Sequence, residues 1–186
     1  MVYEKVIQGK TIRLRAVEES DAEVTYKMRS DPEKTRFIHA AQGTVEDQRN
    51  YIKGQREKPG DYLFVIEDCD GNPIGMKGMY NHNPEARTIE SGRFIGYGSQ
   101  VQNIEALVLS FDFAFDVLQV EKVIMSALES NTQMLSIQKK FGVEFTHREP
   151  CEGMEYDNLF SVLTREGYAV SKPKVESLIA RFAGRK

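Results

Sequence analysis

Residues 88–128 read TIESGRFIGYGSQVQNIEALVLSFDFAFDVLQVEKVIMSAL. Residues 104–118 of this stretch are apolar enough to form a buried helix, and the three acidic residues among them fall on one helical face. A β-prone run precedes this helix at residues 88–96, and another follows it at residues 123–128. The stretch therefore predicts a strand–helix–strand crossover.

The flanking sequence predicts further strands and helices. Residues 11–17 alternate apolar and basic side chains, which is the period of a half-buried strand. Capping boxes at Ser20/Glu23 and Ser130/Gln133 predict two helix starts, and Gly142 stands where a left-handed cap would end the second helix. The other predicted elements are a helix from Thr44, a hairpin of residues 62–66 and 74–80, a turn at residues 81–84, strands at residues 143–147 and 158–164, and a C-terminal helix with the apolar stripe Val175, Leu178, Ile179 and Phe182.

This order of elements predicts an α/β (α+β) fold with a mixed, mostly antiparallel sheet of six to seven strands, helices on both faces and a C-terminal helix. The length of 186 residues suggests one domain. We expect that domain to span residues 1–168, with residues 169–186 as its C-terminal helical extension.

Composition excludes several classes of protein. A net charge of −3 gives no basic field that would recruit nucleic acid or an anionic membrane. Two cysteines are too few for a disulfide framework, and the three histidines show no metal-ligand spacing. There is no apolar run of about 18 residues and no signal-peptide stretch in the first ten residues. We therefore expect a cytoplasmic protein without metal, nucleic-acid partner or membrane partner.

Several short segments, in this order and spacing, are typical of one enzyme family. They are IRLRA at residues 12–16, ESDA at 19–22, EAL at 105–107, DFAF at 112–115, and the stretch from Asn131 to the KFG ending at Gly142. Over about residues 8–166 the chain resembles the GNAT superfamily of acetyl-CoA-dependent N-acetyltransferases. The resemblance is closest to the branch of ribosomal-protein, spermidine and amino-sugar-nucleotide N-acetyltransferases.

The resemblance implies direct transfer of an acetyl group from acetyl-CoA to a primary amine of a small molecule or peptide. The segments around Met28-Arg29-Ser30-Asp31-Pro32 and Asp61-Tyr62-Leu63-Phe64 are similar to the amino-sugar enzymes, which favours a nucleotide-linked amino sugar as acceptor. A ribosomal-protein N-terminus or a polyamine is the alternative acceptor. A non-catalytic module that binds CoA or a metabolite is the alternative from another class.

The resemblance also implies where the coenzyme would bind. Strand residues Phe94, Ile95 and Gly96 would flank the pantetheine, Asn131 would point its amide at it, and the loop-to-helix residues would bind the diphosphate through main-chain amides. Those residues are Gln100, Val101, Gln102, Asn103 and Ile104. The loop departs from the family pattern, since Val101 and Asn103 occupy positions where glycine is usual. A site that has lost the coenzyme therefore remains an alternative.

Acetyl transfer needs a base for the amine proton and an acid for the leaving thiolate. Glu90 on its strand and Glu152 in a polar loop are the candidate bases. The family's tyrosine acid falls at Gln138 and its serine variant at Met134, so neither familiar acid is present. Tyr97 and Tyr156 are possible acids, each also readable as a packing aromatic.

Some residues suggest roles in acceptor binding or assembly. Arg29 and Arg36 lie in the early helices, where an arginine can bind a phosphate or carboxylate; a salt-bridged helix surface is the alternative. Tyr97 is a further candidate for substrate binding. Cys151 has no neighbouring pattern that supports a nucleophile. The apolar stripe of the C-terminal helix is expected to pack on the domain or on a second subunit, which makes a homodimer possible.

Overall fold

The computed structural model describes residues 2–38 and 40–183, so Met1, His39 and residues 184–186 lie outside the described residues. The elements in chain order are β1 (Ile7–Gln8), β2 (Ile12–Ala16), α1 (Ala22–Ser30), α2 (Pro32–Thr35), α3 (Val45–Glu57), β3 (Tyr62–Asp68), β4 (Pro73–Asn83), β5 (Thr88–Gly96), α4 (Gln100–Asp112), β6 (Lys122–Leu128), α5 (Thr132–Lys140), β7 (Glu144–Glu149), β8 (Asn158–Thr164) and α6 (Arg165–Ala183). A 3-10 turn, Glu19–Asp21, precedes α1, and a π-helical segment, Phe113–Val117, extends α4.

The strands form one sheet in the order β1-β2-β3-β4-β5-β6-β8-β7. Every neighbouring pair is antiparallel except β5 and β6, which run parallel because α4 crosses between them. The predicted mixed, mostly antiparallel α/β fold is confirmed. The sheet has eight strands rather than six to seven, since β1 pairs with β2 over only two residues and has no readable alternation.

Helices pack on both faces of the sheet. On one face, the rings of Phe111, Phe141 and Tyr168 meet edge to face between α4, α5 and α6, and they belong to the larger apolar core. On the other face, Met28 of α1 and Ile52 of α3 pack on the strands in a second core. The sheet is therefore packed between two helical layers, with one apolar core on each of its faces.

Polar side chains on α4 orient this helix. The carboxylate of Glu105 is buried and accepts hydrogen bonds from the backbone amides of Lys10 (2.6 Å) and Thr11 (3.0 Å). Seven residues later, Asp112 accepts from the Tyr168 hydroxyl of α6 at 2.8 Å. The acidic face predicted from the sequence therefore anchors the helix to the β1–β2 turn at one end and to α6 at the other.

The central strands part halfway along their length. Pairing between β5 and β6 runs from Thr88 with Lys122 to Ser91 with Met125 and ends there. Beyond that point β5 pairs only with β4, and it bulges between Gly92 and Ile95. Within the bulge Arg93 has a φ of +51°, a backbone conformation that favours glycine. The parting leaves a wedge-shaped opening in the sheet.

Four predicted boundaries differ from the structure. The capping box ahead of α1 is formed by Glu18 and Asp21, so it begins two residues before the predicted Ser20. The N-cap of α5 is Asn131, one residue after the predicted Ser130. Residues 81–83 continue β4 instead of turning, because the chain tolerates a φ of +54° at Asn81. The crossover helix begins at Gln100 rather than residue 104, since Ser99 caps it ahead of the apolar run.

The C-terminal helix packs on the molecule through only half of its predicted stripe. Val175 and Ile179 are buried, whereas Leu178 and Phe182 are exposed. Because α6 starts at Arg165 directly after β8, the boundary expected near residue 168 lies inside a continuous helix. In the described part of the chain, no helix is both long and apolar enough to cross a membrane.

Candidate active site

Three neighbouring cavities lie where β5 and β6 part. The apex cavity, about 90 Å³, lies at the end of the pairing and is lined by Ser91, Gly92, Met125 and Gln138 among others. The helix-side cavity, about 350 Å³, extends from it to Gln100 and Asn103 of α4. The loop-side cavity, about 320 Å³, opens from Gly92 toward α1, α3 and the β7–β8 loop. Shared lining residues, such as Phe37, connect all three.

The helix-side cavity meets the first turn of α4. The Ser99 side chain accepts from the Gln102 amide at 3.3 Å, and the Gln102 side chain accepts from the Ser99 amide at 2.8 Å. This capping box directs the positive end of the helix dipole at the cavity. Anions are stabilised at such an end, so the cavity can accept a diphosphate.

The five predicted loop residues differ in where their side chains lie. Gln100 and Asn103 line the helix-side cavity. Val101 packs against the larger core, Ile104 is buried within it, and the Gln102 side chain is used in the capping box. The residues at the glycine-like positions, Val101 and Asn103, do not adopt a positive φ. The loop therefore forms without glycine at either position.

Gly96 is required by the close approach of Asn103. A Cβ added to Gly96 would lie 2.1 Å from Asn103 Oδ1 and 2.7 Å from its Cγ, both far inside van der Waals contact. The Asn103 amide also donates to the Gly98 carbonyl at 3.1 Å. The Asn103 side chain, which stands where the family usually has glycine, thus occupies the space beside Gly96 that any Cβ at residue 96 would fill.

The strand residues predicted to flank the pantetheine lie along the wedge. Phe94, Ile95 and Gly96 line the helix-side cavity, and Phe94 reaches the apex cavity too. Across the wedge, Asn131 lines the same two cavities while its side chain accepts from the Met134 amide at 3.1 Å. Asn131 therefore caps α5 and also lines the wedge.

Two arginines line the loop-side cavity. Arg29 lies with its guanidinium carbon 4.9 Å from the Tyr51 ring centroid, and its one described hydrogen bond is a 3.4 Å contact with Gln48. Arg93 lies 4.3 Å over the Tyr80 ring. Among the described residues that line this cavity there is no carboxylate. The cavity combines cationic and aromatic surface.

Buried polar contacts hold Arg93 in place. Its guanidinium donates to Gln55 at 2.6 Å and to the buried Asp61 at 3.4 Å. Asp61 also accepts a hydrogen bond from the backbone amide of Asn81 at 3.1 Å, and that contact holds the carboxylate in position. Gly78 lies beneath the arginine, where an added Cβ would be 3.0 Å from Arg93 Cβ. The bulge thereby presents a preorganised arginine to the cavity.

Neither candidate base lines the three cavities. Glu90 accepts a hydrogen bond from the side-chain amide of Asn81 at 2.9 Å and lies opposite Tyr80 in the pairing of β4 with β5. Burial first, and then the nearby charge of Glu90, raise the pKa of Tyr80, whose ring does line the loop-side cavity. Glu152 is exposed in the β7–β8 loop, between the lining residues Cys151 and Met154. Each carboxylate belongs to a residue that is adjacent in sequence to a lining residue: Glu90 precedes Ser91, and Glu152 follows Cys151.

The candidate acids also lie outside the apex. The Tyr97 hydroxyl donates to Asp31 at 2.7 Å, and burial together with this bond raises the pKa of Tyr97 to about 12. Tyr156 is exposed in the β7–β8 loop. Gln138 and Met134 do line the apex cavity, where the Gln138 side chain accepts from Ser161 at 3.2 Å. Tyr97 is thus a phenol at neutral pH, but its proton is donated to Asp31 and it does not line the apex cavity.

Lys77 of β4 lines the site although no sequence motif indicates it. Its side chain is 1% exposed, lines the apex cavity, and belongs to the same face of β4 as the buried Met79. Burial, with a smaller effect of the Arg93 charge, lowers the pKa of Lys77 to about 7. Strand alternation could have found this residue, because it places the lysine on the inward face.

Other residue types give no competing site. Cys69 and Cys151 are free thiols. Within residues 2–38 and 40–183, no group of three or more histidine, cysteine, aspartate or glutamate side chains could hold a metal ion.

The parted parallel pair thus lies between a capped helix N-terminus and a cavity lined by two guanidinium groups. The family model of the GNAT acetyltransferase domain matches residues 11–144. The chain therefore belongs to the GNAT acetyltransferase family and is an acyltransferase. Enzymes of this family use acetyl-CoA as the acyl donor and act on amines of small molecules or peptides.

Solved structures with the same fold include enzymes of different specificity. The apo form of FdhC, a nucleotide-linked sugar GNAT, has a TM-score of 0.81 at 22% identity, covering 98% of this chain and 100% of its own. Spermidine N-acetyltransferase from Vibrio cholerae, in complex with CoA and spermine, has a TM-score of 0.78 at 15% identity, covering 87% and 99%. A GCN5-related N-acetyltransferase from Brucella melitensis has a TM-score of 0.81 at 15% identity, covering 95% and 86%. No curated protein matches the sequence.

Proposed function

We propose that this protein transfers the acetyl group of acetyl-CoA to the primary amine of an acceptor that carries negative charge and a ring, such as a nucleotide-linked amino sugar. The amine attacks the thioester directly, without a covalent intermediate on the enzyme. The observation that carries the choice of acceptor is the lining of the loop-side cavity, with two guanidinium groups and no carboxylate among its described residues.

The wedge supports binding of the acyl substrate. A pantetheine is an extended chain with amide groups, and the unpaired edges of β5 and β6 beyond Ser91 and Met125 offer it main-chain partners. The first turn of α4 adds amide groups and the positive end of a helix dipole for the diphosphate. These contacts use the backbone, so they do not depend on glycine at residues 101 and 103.

The loop-side cavity supports an anionic acceptor. Arginine binds phosphate and carboxylate through paired donors, and Arg29 uses only one long described hydrogen bond within the protein. The rings of Phe37, Tyr51 and Tyr80 line the same cavity and can stack on a base or cover a sugar. The charge of Arg93 is already paired with Asp61, so Arg29 decides the electrostatics here. A polyamine has no group that pairs with Arg29, and its positive charge would be repelled by that guanidinium.

Proton removal from the amine is assigned to Glu90, with Glu152 as the alternative. Glu90 is held by Asn81 beside Tyr80, at the rim of the cavity in which the amine would lie. From that position it can accept the proton through one water molecule. Arg93 and Phe94 have no partner in the β4–β5 or β5–β6 register, so the bulge can provide an amide donor for the thioester carbonyl.

Two measurements test this proposal in sequence. A thermal-shift titration with acetyl-CoA should stabilise the protein, by about 2.7 kcal/mol at one hundred times the dissociation constant. Thiol release should then be followed with a nucleotide-linked amino sugar, spermidine and a peptide with a free N-terminus. We expect the amino sugar to give the highest kcat/KM.

The outcomes separate the parts of the proposal. No thermal shift at millimolar acetyl-CoA would contradict binding of the acyl substrate. A shift together with a higher kcat/KM for spermidine than for the amino sugar would overturn the acceptor assignment and leave the acyl-donor assignment in place.

A further inference from the structure

Lys77 is a buried cation that has no anionic partner among the described residues. Its ammonium donates to the carbonyls of Gly78 (2.9 Å) and Gly92 (3.0 Å) and to the Ser91 hydroxyl (2.8 Å). These are three neutral acceptors for three protons. The only other charged side chain that lines the apex cavity among the described residues is Arg93, which is also positive. A buried charge without a counterion is costly, so its presence suggests a use.

The ammonium lies where the strands begin to part. Ser91 is the last residue of β5 that pairs with β6, and Gly92 is the first that does not. Lys77 contacts both, from the face of the sheet that α4 and α5 cover. The apex cavity is the narrow end of the wedge, whose open end meets the first turn of α4. An extended thioester that enters past α4 would therefore bring its sulfur toward Lys77.

The described residues that line the rest of the apex cavity include no other proton donor of suitable acidity. The uncharged groups facing Lys77 come from α4 (Leu107 and Phe111), α5 (Ile137 and Gln138) and β6 (Met125). An amide such as Gln138 can donate a hydrogen bond but does not release a proton at neutral pH. An ammonium does both.

We propose that Lys77 is the catalytic acid of this enzyme, stabilising the thiolate that leaves acetyl-CoA and giving it a proton, with the Ser91 hydroxyl as its partner. This assignment rests on the proposed acyl-donor function and extends it to a named proton donor that neither the family match nor the sequence motifs supply.

The step balances in atoms and charge. The acceptor amine forms the new C–N bond and loses one proton to the base. As the carbonyl–sulfur bond breaks, its electron pair goes to sulfur, and one N–H bond of the Lys77 ammonium breaks to give the thiol. Neutral Lys77 keeps two donors and gains a lone pair, to which the Ser91 hydroxyl can donate. Lys77 recovers its proton from solvent after the product thiol leaves.

The pKa of Lys77 suits this task. A value of about 7 in the free protein means that the ammonium and the amine are both accessible near neutral pH. Negative charge developing on sulfur would raise that pKa and favour the charged form until the proton is transferred.

Lys77→Met tests the proposal by kinetics, with Lys53→Met in the exposed part of α3 as the matched control. Methionine fills a similar volume without a charge, so the fold is expected to persist. We expect kcat to fall about 100-fold, the range for loss of a general acid, while the KM for acetyl-CoA stays within about twofold. The wild-type kcat should also fall at high pH as Lys77 loses its proton, and that limb should disappear in Lys77→Met. A variant with wild-type kcat and an unchanged pH profile would overturn the proposal.

A second measurement does not need turnover. The thiolate absorbance of CoA, titrated with pH while bound to the wild-type protein, should appear at lower pH than for free CoA, because the ammonium stabilises the thiolate. Lys77→Met, and not Lys53→Met, should remove the difference. Equal titration of bound and free CoA would refute the role of Lys77 even if transfer occurs. If no amine is acetylated, the acceptor proposal fails, and this titration still decides whether Lys77 faces the sulfur.

Discussion

Replacing Arg29 by glutamine should specifically weaken binding of an anionic acceptor. The guanidinium lies on the face of Tyr51 with a single 3.4 Å hydrogen bond to Gln48, so its remaining donors are available to a ligand. A hydrogen bond between charged groups contributes about 1.5–3 kcal/mol. Since about 1.4 kcal/mol corresponds to a tenfold change, kcat/KM for the amino sugar should fall roughly 10- to 150-fold.

The loss should appear in KM for the acceptor rather than in kcat, because the contact is remote from the reacting amine. Thiol release at saturating acetyl-CoA, with the acceptor concentration varied, measures both constants. Arg49→Gln is the matched control, since Arg49 lies on the same helix layer and binds Glu46 and the Glu19 carbonyl outside the cavities. Equal acceptor KM values for the two variants, or a poorer KM for spermidine in Arg29→Gln, would refute the electrostatic argument.

Three further changes test other parts of the site. Gly96→Ala should destabilise the protein by about 1–3 kcal/mol and weaken CoA binding, because its Cβ would lie 2.1 Å from Asn103 Oδ1. The double variant Gly96→Ala/Asn103→Ala should recover most of the stability and most of the CoA affinity. Additive losses of the two substitutions in calorimetry would contradict the contact. Glu90→Gln should lower kcat/KM about 100-fold at pH 7, whereas Glu152→Gln should keep a kcat/KM near that of wild type. Full activity in both variants would show that neither carboxylate is the catalytic base. Lys77→Met should be more stable than wild type at pH 7 in urea unfolding. Because the pKa of Lys77 is lowered from 10.5 to about 7, the charged form destabilises the native state. Wild type should therefore gain up to about 4 kcal/mol relative to the variant as pH rises from 7 to 10, and a pH-independent difference would disprove the buried ammonium.

The regular parts of this fold could be predicted from sequence because their signals are local. The alternation at residues 12–16 and the apolar run through α4 each specify an element and its buried face. Helix starts were harder, since several residues near each start can cap. Around the 3-10 turn, Glu18 and Asp21 bond reciprocally while the Ser20 hydroxyl makes only an exposed 3.4 Å contact with Glu18.

The candidate site was only partly predictable, because its key contacts join residues distant in sequence. Arg93 reaches the loop-side cavity through a bulge and is fixed by Gln55 and Asp61, which no local pattern connects to it. The loop that departs from the family pattern is accommodated by Gly96 on the facing strand, a contact that the loop sequence alone does not contain. For Lys77, strand alternation indicates an inward side chain, but its acceptors Ser91 and Gly92 on β5 are known only from the structure.

A crystal structure of the protein soaked with acetyl-CoA would test most directly whether the parted strands form the acyl-transfer site. We predict the diphosphate at the main-chain amides of residues 100–104, the pantetheine between β5 and β6, and the sulfur in the apex cavity within contact distance of Lys77 and Ser91. A coenzyme bound at another surface, or a wedge that stays closed to millimolar acetyl-CoA in calorimetry of the same protein, would contradict the account.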